Sequence, residues 1–196
     1  MTTGAGLVVV EPVAEMLKQL KLKYPSVIAK TGLAEGIPLA DASVDAVVCA
    51  QSFHWFATTK TLDEIRRVLK PGGKLGLVWN VRDESVGWVA AITKLIEPFE
   101  ADTPRYRSQE WRGLFPAEGF STLRELRFEN LHRGSPVQVI VDRTMSVSFI
   151  SALPKESQKK VESDLKALIA KTPELAGKDM VGFPYQTLAF CCTKVG

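Results

Sequence analysis

The chain has 196 residues, of which 45% are hydrophobic and 24% are charged. This length and composition suit one globular domain with a full hydrophobic core, so we expect a single domain over residues 1–196. The net charge of +3 is too small to indicate binding to nucleic acid or to a membrane surface. No apolar run approaches the ~20 residues that span a bilayer, and the N-terminal MTTGAG has neither region of a signal peptide. The sequence therefore predicts a cytoplasmic protein.

Strand and helix patterns alternate in the first half of the chain. Residues 7–10 form a short apolar run, as expected for a strand buried on both faces, and a helical pattern follows up to Lys23. Further strands are predicted at 27–29, 44–50 and 75–79, and the segments after the last two of these carry helical patterns. The alternation predicts a parallel sheet with helices on both faces. The segment KPGGK (70–74) is interpreted as a helix stop and turn with glycines at positive φ.

The pattern changes after Asp102. Residues 104–115 are interpreted as a surface segment or short helices, 123–130 as a strand, and 135–150 as two short helical pieces. A longer helix begins at Leu153-Pro154, and 185–193 form the last strand. Cys49, Cys191 and Cys192 are too few and too unevenly spaced for a metal site or a disulfide framework, so we interpret them as packing thiols.

Polar and aromatic residues follow several of the predicted strands. In open α/β sheets ligands bind at the carboxyl ends of strands. Glu11 ends the first strand, where it could accept hydrogen bonds from two ribose hydroxyls or could simply favour the dipole of the next helix. His54 and Trp55 follow the third strand; His54 could act as a general base or be a structural histidine, and Trp55 could stack on a ligand or cap the core. The fourth strand ends in a polar segment with Asn80, Arg82 and Asp83.

Three segments together are more specific than any single residue. The sequence carries VEPVAEML, then GLAEGIPLADASVDAVVCAQSFHW, then LDEIRRVLKPGGKLGLVW. In order and spacing they resemble the segments after the second to fifth strands of class I S-adenosylmethionine-dependent methyltransferases of the type-11 group. HWF, with the later DRTMSVSFISALP, resembles the small-molecule branch related to trans-aconitate methyltransferases. The resemblance implies an α/β fold: a Rossmann-like methyltransferase sheet with helices on both faces.

The resemblance also implies roles for individual residues. Glu11 would bind the ribose hydroxyls of S-adenosylmethionine, and Pro12 and Met16 would lie against its adenine. Ala34 would offer its backbone to the adenine edge, with Glu35 completing the AE pair. The preceding position, often acidic in the family, is Leu33. Gln51 would line the sulfonium, and the catalytic candidates His54 and Trp55 would lie on the acceptor side.

One element of the family pattern is absent from this sequence. A glycine-rich loop of the form G-x-G-x-G should precede the ribose acid by roughly 20 residues. Ten residues precede Glu11, and their glycines, Gly4 and Gly6, lie directly before its strand. We therefore expect an N-terminally truncated fold without the first strand and the glycine loop. The family strand order 3-2-1-4-5-7-6 then leaves two strands without their shared neighbour, unless those two strands pair directly.

These observations predict a methyltransferase that acts on a small-molecule acceptor, with activity reduced or lost in this form. The alternative is a non-catalytic methyltransferase-like interaction protein, or a splice form, that does not bind the cofactor. A nicotinamide-dependent oxidoreductase would also use Glu11, but the AEGIPLADASVD and LKPGGK segments argue against it. Nucleic acid is not an expected partner, since acidic residues interleave with the lysines of the 155–166 helix. An exposed sheet edge would favour self-association.

Overall fold

The computed structural model describes residues 4–100 and 106–196. The main elements alternate between strand and helix up to residue 96 and become mainly antiparallel strand and helix thereafter. They are β1 (Val8–Val10), α1 (Ala14–Lys23), β2 (Ile28–Lys30), β3 (Val44–Ala50), α2 (Thr59–Val68), β4 (Leu69–Arg82), α3 (Gly87–Ile96), β5 (Arg124–Gly134), α4 (Arg143–Met145), α5 (Ser148–Ser151), α6 (Lys155–Lys171) and β6 (Val181–Thr193). Short 3₁₀ turns lie at Phe53–Trp55, Glu97–Phe99, Tyr106–Ser108 and Glu110–Leu114, and a π-helical segment lies at Val137–Asp142.

The described chain divides into two compact units. Unit 1 comprises residues 4–77, 106–125 and 190–196, and unit 2 comprises 78–100 and 126–189. Unit 1 contains β1, β2, β3 and their following segments. Unit 2 contains α3 to α6 and most of β5 and β6. No helix within residues 4–100 and 106–196 combines the length and the apolar character needed to cross a membrane.

The strands form a two-stranded sheet, β1-β2, and a four-stranded sheet of order β3-β4-β6-β5. β1 and β2 are parallel. β6 runs antiparallel to β4, since Lys194 N donates to Gly73 O (2.8 Å) and Asp83 N to Pro184 O (3.1 Å). The four-stranded sheet is therefore mixed. The parallel arrangement predicted from the alternating first half does not extend to the last strand, β6, which runs antiparallel to β4. The strand orders of the two sheets match the two parts of the family order 3-2-1-4-5-7-6 that lie on either side of its first strand.

β1 and β3 would flank the first strand of the family order, and apolar residues on these two strands and on β2 are exposed. β1 pairs with β2 and β3 pairs with β4, and the two pairs lie in different sheets, so the alternative of direct pairing between β1 and β3 was wrong. Val8 is 38% exposed, Ile28 58% and Val48 64%. The prediction that residues 7–10 are buried on both faces was also wrong. An apolar run encodes a tendency to be buried, whereas burial itself requires a neighbouring element.

Helix α2 has both an N-terminal cap and a buried apolar face, and strand β4 follows it directly. The Thr58 side chain accepts a hydrogen bond from Thr61 N (3.1 Å) and caps α2. Ile65 and Val68 on one face are buried. β4 then begins at Leu69 and runs through the KPGG segment, so the predicted turn is instead the start of a long strand. Gly72 does have a positive φ of 77°.

The hydrophobic core of unit 2 packs two long helices against the π-helical segment and β6. Its members are almost fully buried and lie at helical or alternating spacing: Val89, Ile92 and Ile96 of α3, Val139–Val141, Phe149 and Ile150, Val161 and Leu165 of α6, Leu175, Phe183 and Tyr185. Trp88 packs edge-on against Phe183, with ring centroids 5.1 Å apart. Burial of these aliphatic and aromatic groups stabilises the unit through the hydrophobic effect.

The second half matches the predicted element types, with different bounds and burial. Of the two interpretations of 104–115, short helices are confirmed: 3₁₀ turns lie at Tyr106–Ser108 and Glu110–Leu114, and Trp111 is 2% exposed, while 104 and 105 lie outside the described residues. The strand predicted at 123–130 extends to Gly134. The two helical pieces predicted within 135–150 are confirmed, since the π-helical segment continues directly into α4 and α5 follows after residues 146 and 147.

Candidate functional site

Glu11 lies at the carboxyl end of β1, between the strand and α1. Its N–H continues the parallel ladder by donating to Lys30 O (3.1 Å). Its Oε1 accepts a hydrogen bond from Val13 N (3.0 Å), one of the unpaired donors at the start of α1. This bond fixes the carboxylate at the strand end. In the described part of the chain Oε2 has no hydrogen-bond partner, so the half-buried side chain can accept from a ligand.

The first turn of α1 exposes the residues next to Glu11. Leu17 is buried and anchors the helix, whereas Met16 is 59% exposed. Pro12 and Val13 are also exposed. Consecutive helical residues point about 100° apart, which explains why Leu17 packs inward while Met16 does not. The result is an exposed apolar surface beside a carboxylate.

The AE pair lies at the tip of a tight turn that follows β2. Gly36 N donates to Leu33 O (3.2 Å), and Leu33 and Gly36 form an isolated bridge. Ala34 and Glu35 are therefore the two central residues of the turn. Leu33 is 63% exposed, so this position offers apolar surface instead of an acid. Within residues 4–100 and 106–196, no backbone partner is found for Ala34 N–H.

Glu35 connects this turn to the start of α2. Its Oε1 accepts from Thr58 Oγ1 (2.8 Å), and Oε2 lies 3.4 Å from Lys60 Nζ. The hydrogen bond from Thr58, followed by that from Lys60, holds the pKa of Glu35 below its usual value. Both carboxylate oxygens are thus engaged within the protein. We conclude that Glu35 positions the turn.

A second connection, which the sequence did not predict, fastens residues 37–41 to α2. The Arg67 guanidinium donates to the carbonyls of Ile37 and Leu39 (both 2.9 Å) and to Asp41 Oδ1 (2.6 Å). Glu64 accepts from Ile37 N (2.9 Å) and from Arg67 Nε (2.9 Å). Arg67 lowers the pKa of Glu64, and Glu64 raises that of Arg67. The Glu64–Arg67 pair therefore holds three residues of the loop. The sequence alone does not show this role, because Arg67 in the IRRV segment resembles an ordinary charge on a solvent-exposed helix face.

The segment after β3 begins with a residue in the left-handed conformation. Gln51 has a φ of 58°, which turns the chain sharply out of the strand. The next turn is anchored by Phe53, which is 0% exposed and packs edge-on against Trp111, with ring centroids 6.5 Å apart. Phe56 packs edge-on against Phe53 at 5.9 Å, and its carbonyl accepts from Thr61 Oγ1 (2.7 Å).

His54 and Trp55 project from this anchored turn. Their ring centroids lie 5.4 Å apart with planes tilted by 38°. His54 is half-buried, and Trp55 is 51% exposed. Because Phe53 fixes the backbone between them and β3, the two rings are held without being buried. The half-exposed indole of Trp55 can stack on a planar ligand. The imidazole of His54 beside it can exchange a proton with that ligand.

The predicted residues thus fall into two local groups within unit 1. Glu11, Pro12 and Met16 lie where β1 meets α1. Ala34 and Glu35 are linked through Thr58 to the segment that follows His54 and Trp55. A depression of about 420 Å³ along α1 contains none of these residues; it is lined by Ala14, Leu17, Lys18, Lys21, Leu22 and Thr31.

The polar residues after the fourth predicted strand lie in unit 2 and are engaged there. Asn80 Oδ1 accepts from Asn130 Nδ2 (3.1 Å) and Thr187 Oγ1 (2.6 Å). Asp83 accepts from the hydroxyl (2.7 Å) and N–H (3.2 Å) of Ser85, which lowers the pKa of its carboxyl. These bonds brace three neighbouring strands and the turn before α3.

The cysteines occupy packed positions. Burial raises the pKa of the Cys49 thiol to about 12 and that of Cys192 to about 11, while Cys191 is half-buried. Thiols with a raised pKa are poor nucleophiles and poor metal ligands. In the described part of the chain no three His, Cys, Asp or Glu side chains cluster as metal ligands would.

Known proteins share both the sequence and the fold. The model of the type-11 family, described as a methyltransferase domain, matches residues 1–77. An uncharacterised methyltransferase-like protein of Schizosaccharomyces pombe is 42% identical over 188 residues, which is 96% of this chain and 73% of that protein. An uncharacterised methyltransferase of Mycobacterium tuberculosis is 36% identical over 97% of this chain and 75% of its own length.

Solved structures agree on the fold. A proposed methyltransferase of an antibiotic biosynthesis pathway in Anabaena variabilis superposes with a TM-score of 0.65 at 18% identity, over 95% of this chain and 81% of that one. The phosphoethanolamine N-methyltransferase 2 of Haemonchus contortus, solved with S-adenosylhomocysteine, superposes with a TM-score of 0.51 at 15% identity, over 98% and 44%. The α/β fold is that of the class I enzymes, and the 36–42% identity to these relatives shows that the chain belongs to the methyltransferase family.

Proposed function

We propose that this chain binds S-adenosylmethionine and directs its methyl group to a small-molecule acceptor. The observation that carries the proposal is Glu11, a half-exposed carboxylate held at the carboxyl end of β1 by Val13 N with one oxygen available. Strand-end carboxylates of this kind accept hydrogen bonds from ribose hydroxyls in dinucleotide-type folds. Family membership and the bound S-adenosylhomocysteine in the Haemonchus contortus enzyme support the same ligand.

The described residues fit the adenosyl half of the cofactor. Oε2 of Glu11 would accept from the ribose hydroxyls, and the exposed side chains of Pro12 and Met16 would cover one side of the adenine. Leu33 would add apolar surface, and Ala34 N–H would donate to the adenine edge. Glu35 would act as a positioning residue, because Thr58 and Lys60 already occupy its carboxylate.

The acceptor side would be formed by the segment after β3. The cofactor, when bound, supplies an electrophilic methyl group, and transfer depends mainly on proximity and alignment. Gln51 would line the path to the acceptor, and Trp55 would stack on it. For a hydroxyl or amine acceptor, His54 would take the proton that the attacking atom loses. For a carboxylate acceptor, as in the trans-aconitate branch, no base is required and His54 would donate a hydrogen bond.

Isothermal titration with S-adenosylhomocysteine tests the cofactor site. We expect binding in the micromolar range, weaker than a site that also holds the methionine portion, and a loss of at least tenfold in Glu11→Ala. Glu11→Gln keeps an acceptor for Val13 N and separates loss of ligand binding from loss of helix capping. Glu15→Ala removes another exposed acid of the same helix turn and should leave the affinity unchanged.

A folded wild-type chain that does not bind would contradict the proposal and favour the non-catalytic interaction protein. An affinity that falls equally in Glu11→Ala and Glu15→Ala would reject Glu11 as the ribose ligand and indicate a nonspecific charge effect.

The role of His54 is tested on an acceptor panel of trans-aconitate, a phenol and a primary amine. His54→Ala should lower turnover of a hydroxyl or amine acceptor about 100-fold with little change in cofactor affinity. It should have a small effect on a carboxylate acceptor. His132→Ala, in the exposed strand β5, is the control. Unchanged turnover of every acceptor in His54→Ala would remove His54 from the chemistry.

A further inference from the structure

Two turns of unit 1 share one pattern and pack against each other. Each begins with a glutamine in the left-handed conformation, Gln51 with a φ of 58° and Gln109 with a φ of 59°, and a 3₁₀ turn follows. Two positions after each glutamine is a buried aromatic residue, Phe53 (0% exposed) or Trp111 (2% exposed). The two rings meet edge-on, with centroids 6.5 Å apart. Residues 51–56, called the acceptor turn below, thus rest on the turn that follows Gln109.

The acceptor turn has a backbone conformation that needs outside support. Residues other than glycine adopt a positive φ only where the surrounding structure holds them, and they cluster at functional sites. A single 3₁₀ turn closes few hydrogen bonds of its own; here Trp55 N donates to Ser52 O (2.9 Å). The packing of the Phe53 ring is therefore needed to hold the strained Gln51 and the residues after it.

Trp111 can provide that support because it is itself fixed on several sides. Its ring packs edge-on against Phe190 and Phe115, with centroids 5.0 and 6.4 Å away. The Arg112 guanidinium lies over the rings of Trp111 (5.4 Å) and Phe190 (4.7 Å). Glu125 accepts from that guanidinium (2.6 Å) and keeps it in place. Aromatic pairs at these separations stabilise beyond the area that they bury, so Trp111 forms a rigid wall behind Phe53.

We infer that Trp111 is a positioning residue for the acceptor side of the site. Acting through Phe53, it holds the acceptor turn so that His54 and Trp55 present one arrangement to the acceptor. Trp111 does not contact the acceptor itself, since it is 2% exposed. The inference rests on the proposed function, because methyl transfer depends on alignment, and a misplacement of about 1 Å can cost about 100-fold in rate.

Hydrogen exchange of the ligand-free chain tests whether Trp111 holds the acceptor turn. In Trp111→Leu we expect amide exchange over residues 53–56 to be at least about tenfold faster, because the turn can open locally. Trp111→Phe keeps an aromatic ring against Phe53 and should stay close to wild type. Phe53→Leu/Trp111→Leu should exchange no faster than the faster single variant, since both changes remove the same contact. Phe183→Leu, which truncates an equally buried aromatic (1% exposed) in unit 2, is the control and should leave the turn unchanged.

Kinetics with S-adenosylmethionine and the acceptor that wild type methylates fastest tests the role in alignment. Trp111→Leu should lower kcat by about 10- to 100-fold, while the affinity for S-adenosylhomocysteine stays within about twofold of wild type. Trp111→Phe should regain most of the turnover, and Phe183→Leu should keep it. A residue that only stabilises the fold would not separate kcat from cofactor affinity in this way.

Three results would overturn the inference. They are unchanged exchange over residues 53–56 in Trp111→Leu, faster exchange with unchanged turnover, and an equal loss of turnover in Phe183→Leu. Far-UV circular dichroism shows whether each variant is folded, and Phe53→Leu breaks the same contact from the other side if Trp111→Leu does not fold. A wild-type chain that does not bind S-adenosylhomocysteine would contradict the proposed function instead, and the exchange result would still decide whether Trp111 holds the turn.

Discussion

The β1–α1–β2 segment and the helical core of unit 2 differ sharply in how much apolar surface they bury. In the segment Leu17 is buried, whereas Val13, Met16 and Ile28 are about half exposed or more. In unit 2, by contrast, Val89, Ile92, Val139, Ile140, Ile150 and Leu165 are all 0% exposed. Glu11, Pro12 and Met16, three of the residues proposed to bind the cofactor, thus lie in a segment that buries less apolar surface than the core of unit 2.

This difference has a consequence for dynamics. Regions with few buried apolar contacts open locally with a free energy well below that of global unfolding. The β1–α1–β2 segment should therefore open more readily than unit 2. A ligand that bridges Glu11 and the turn after β2 would supply contacts that packing does not, and binding would stabilise this segment most.

The largest expected effect comes from truncating matched isoleucines in the two regions. Ile140→Ala removes a fully buried side chain and should lower the free energy of unfolding by about 2–5 kcal/mol. Ile28→Ala removes one that is 58% exposed and should change it by less than about 1 kcal/mol. Urea denaturation followed by circular dichroism measures both. Equal losses would mean that the segment is as tightly packed as unit 2.

A smaller effect is expected at the cap of α2. Thr58→Ala removes both the cap of the helix and the donor to Glu35, and should cost about 1 kcal/mol. Thr59→Ala, one residue further on and exposed, removes neither contact and is the control. Thr58→Ala should also weaken S-adenosylhomocysteine binding, because the turn with Ala34 loses its support. An unchanged affinity would separate the turn from the ligand site.

Arg67 should affect the loop more than the whole protein. Arg67→Ala frees the carbonyls of Ile37 and Leu39, so amide exchange over residues 37–41 should become faster while the global unfolding transition moves little. Arg66→Ala, whose contacts are with Asp63 and Glu118, is the control. Hydrogen exchange with mass spectrometry resolves the two. Loop exchange equal in both variants would remove Arg67 from this role.

The smallest effect is a pH dependence at Glu35. Its pKa is lowered in the folded protein, so the carboxylate contributes stability above its usual pKa near 4.5 and loses it as the pH falls through the lowered value. At neutral pH, Glu35→Gln should speed amide exchange in the turn of Leu33 to Gly36. Below the folded pKa, wild type and variant should exchange alike. A difference that persists in acid would show that ionisation is not responsible.

The sequence predicted element types well where periodicity was strong. Strand β3 matches its predicted bounds, and α1, α2 and β2 lie within a few residues of theirs. The orders of the two sheets agree with those implied by the family resemblance. Burial was predicted poorly for residues 7–10, because an apolar run does not show which neighbours are present.

The long-range polar contacts could not have been predicted from the sequence. Glu35 was expected beside the cofactor, but its bond to Thr58 joins residues 23 positions apart. Arg67 bonds Ile37 across 30 positions. Such pairs depend on the path of the backbone, and each residue alone resembles an ordinary surface charge. The anchoring role of Phe53 could have been suspected, because it is the hydrophobic residue directly before His54 and Trp55.

Hydrogen exchange of the chain with and without S-adenosylhomocysteine tests the central claim most directly. The account predicts added protection at the β1–α1 junction around Glu11, in the turn of Ala34 and Glu35, and in the 51–55 segment, with little change in α3 and α6. Glu11→Ala should abolish that protection. Protection confined to unit 2, or bound ligand with no protection around Glu11, would contradict the assignment of the cofactor site.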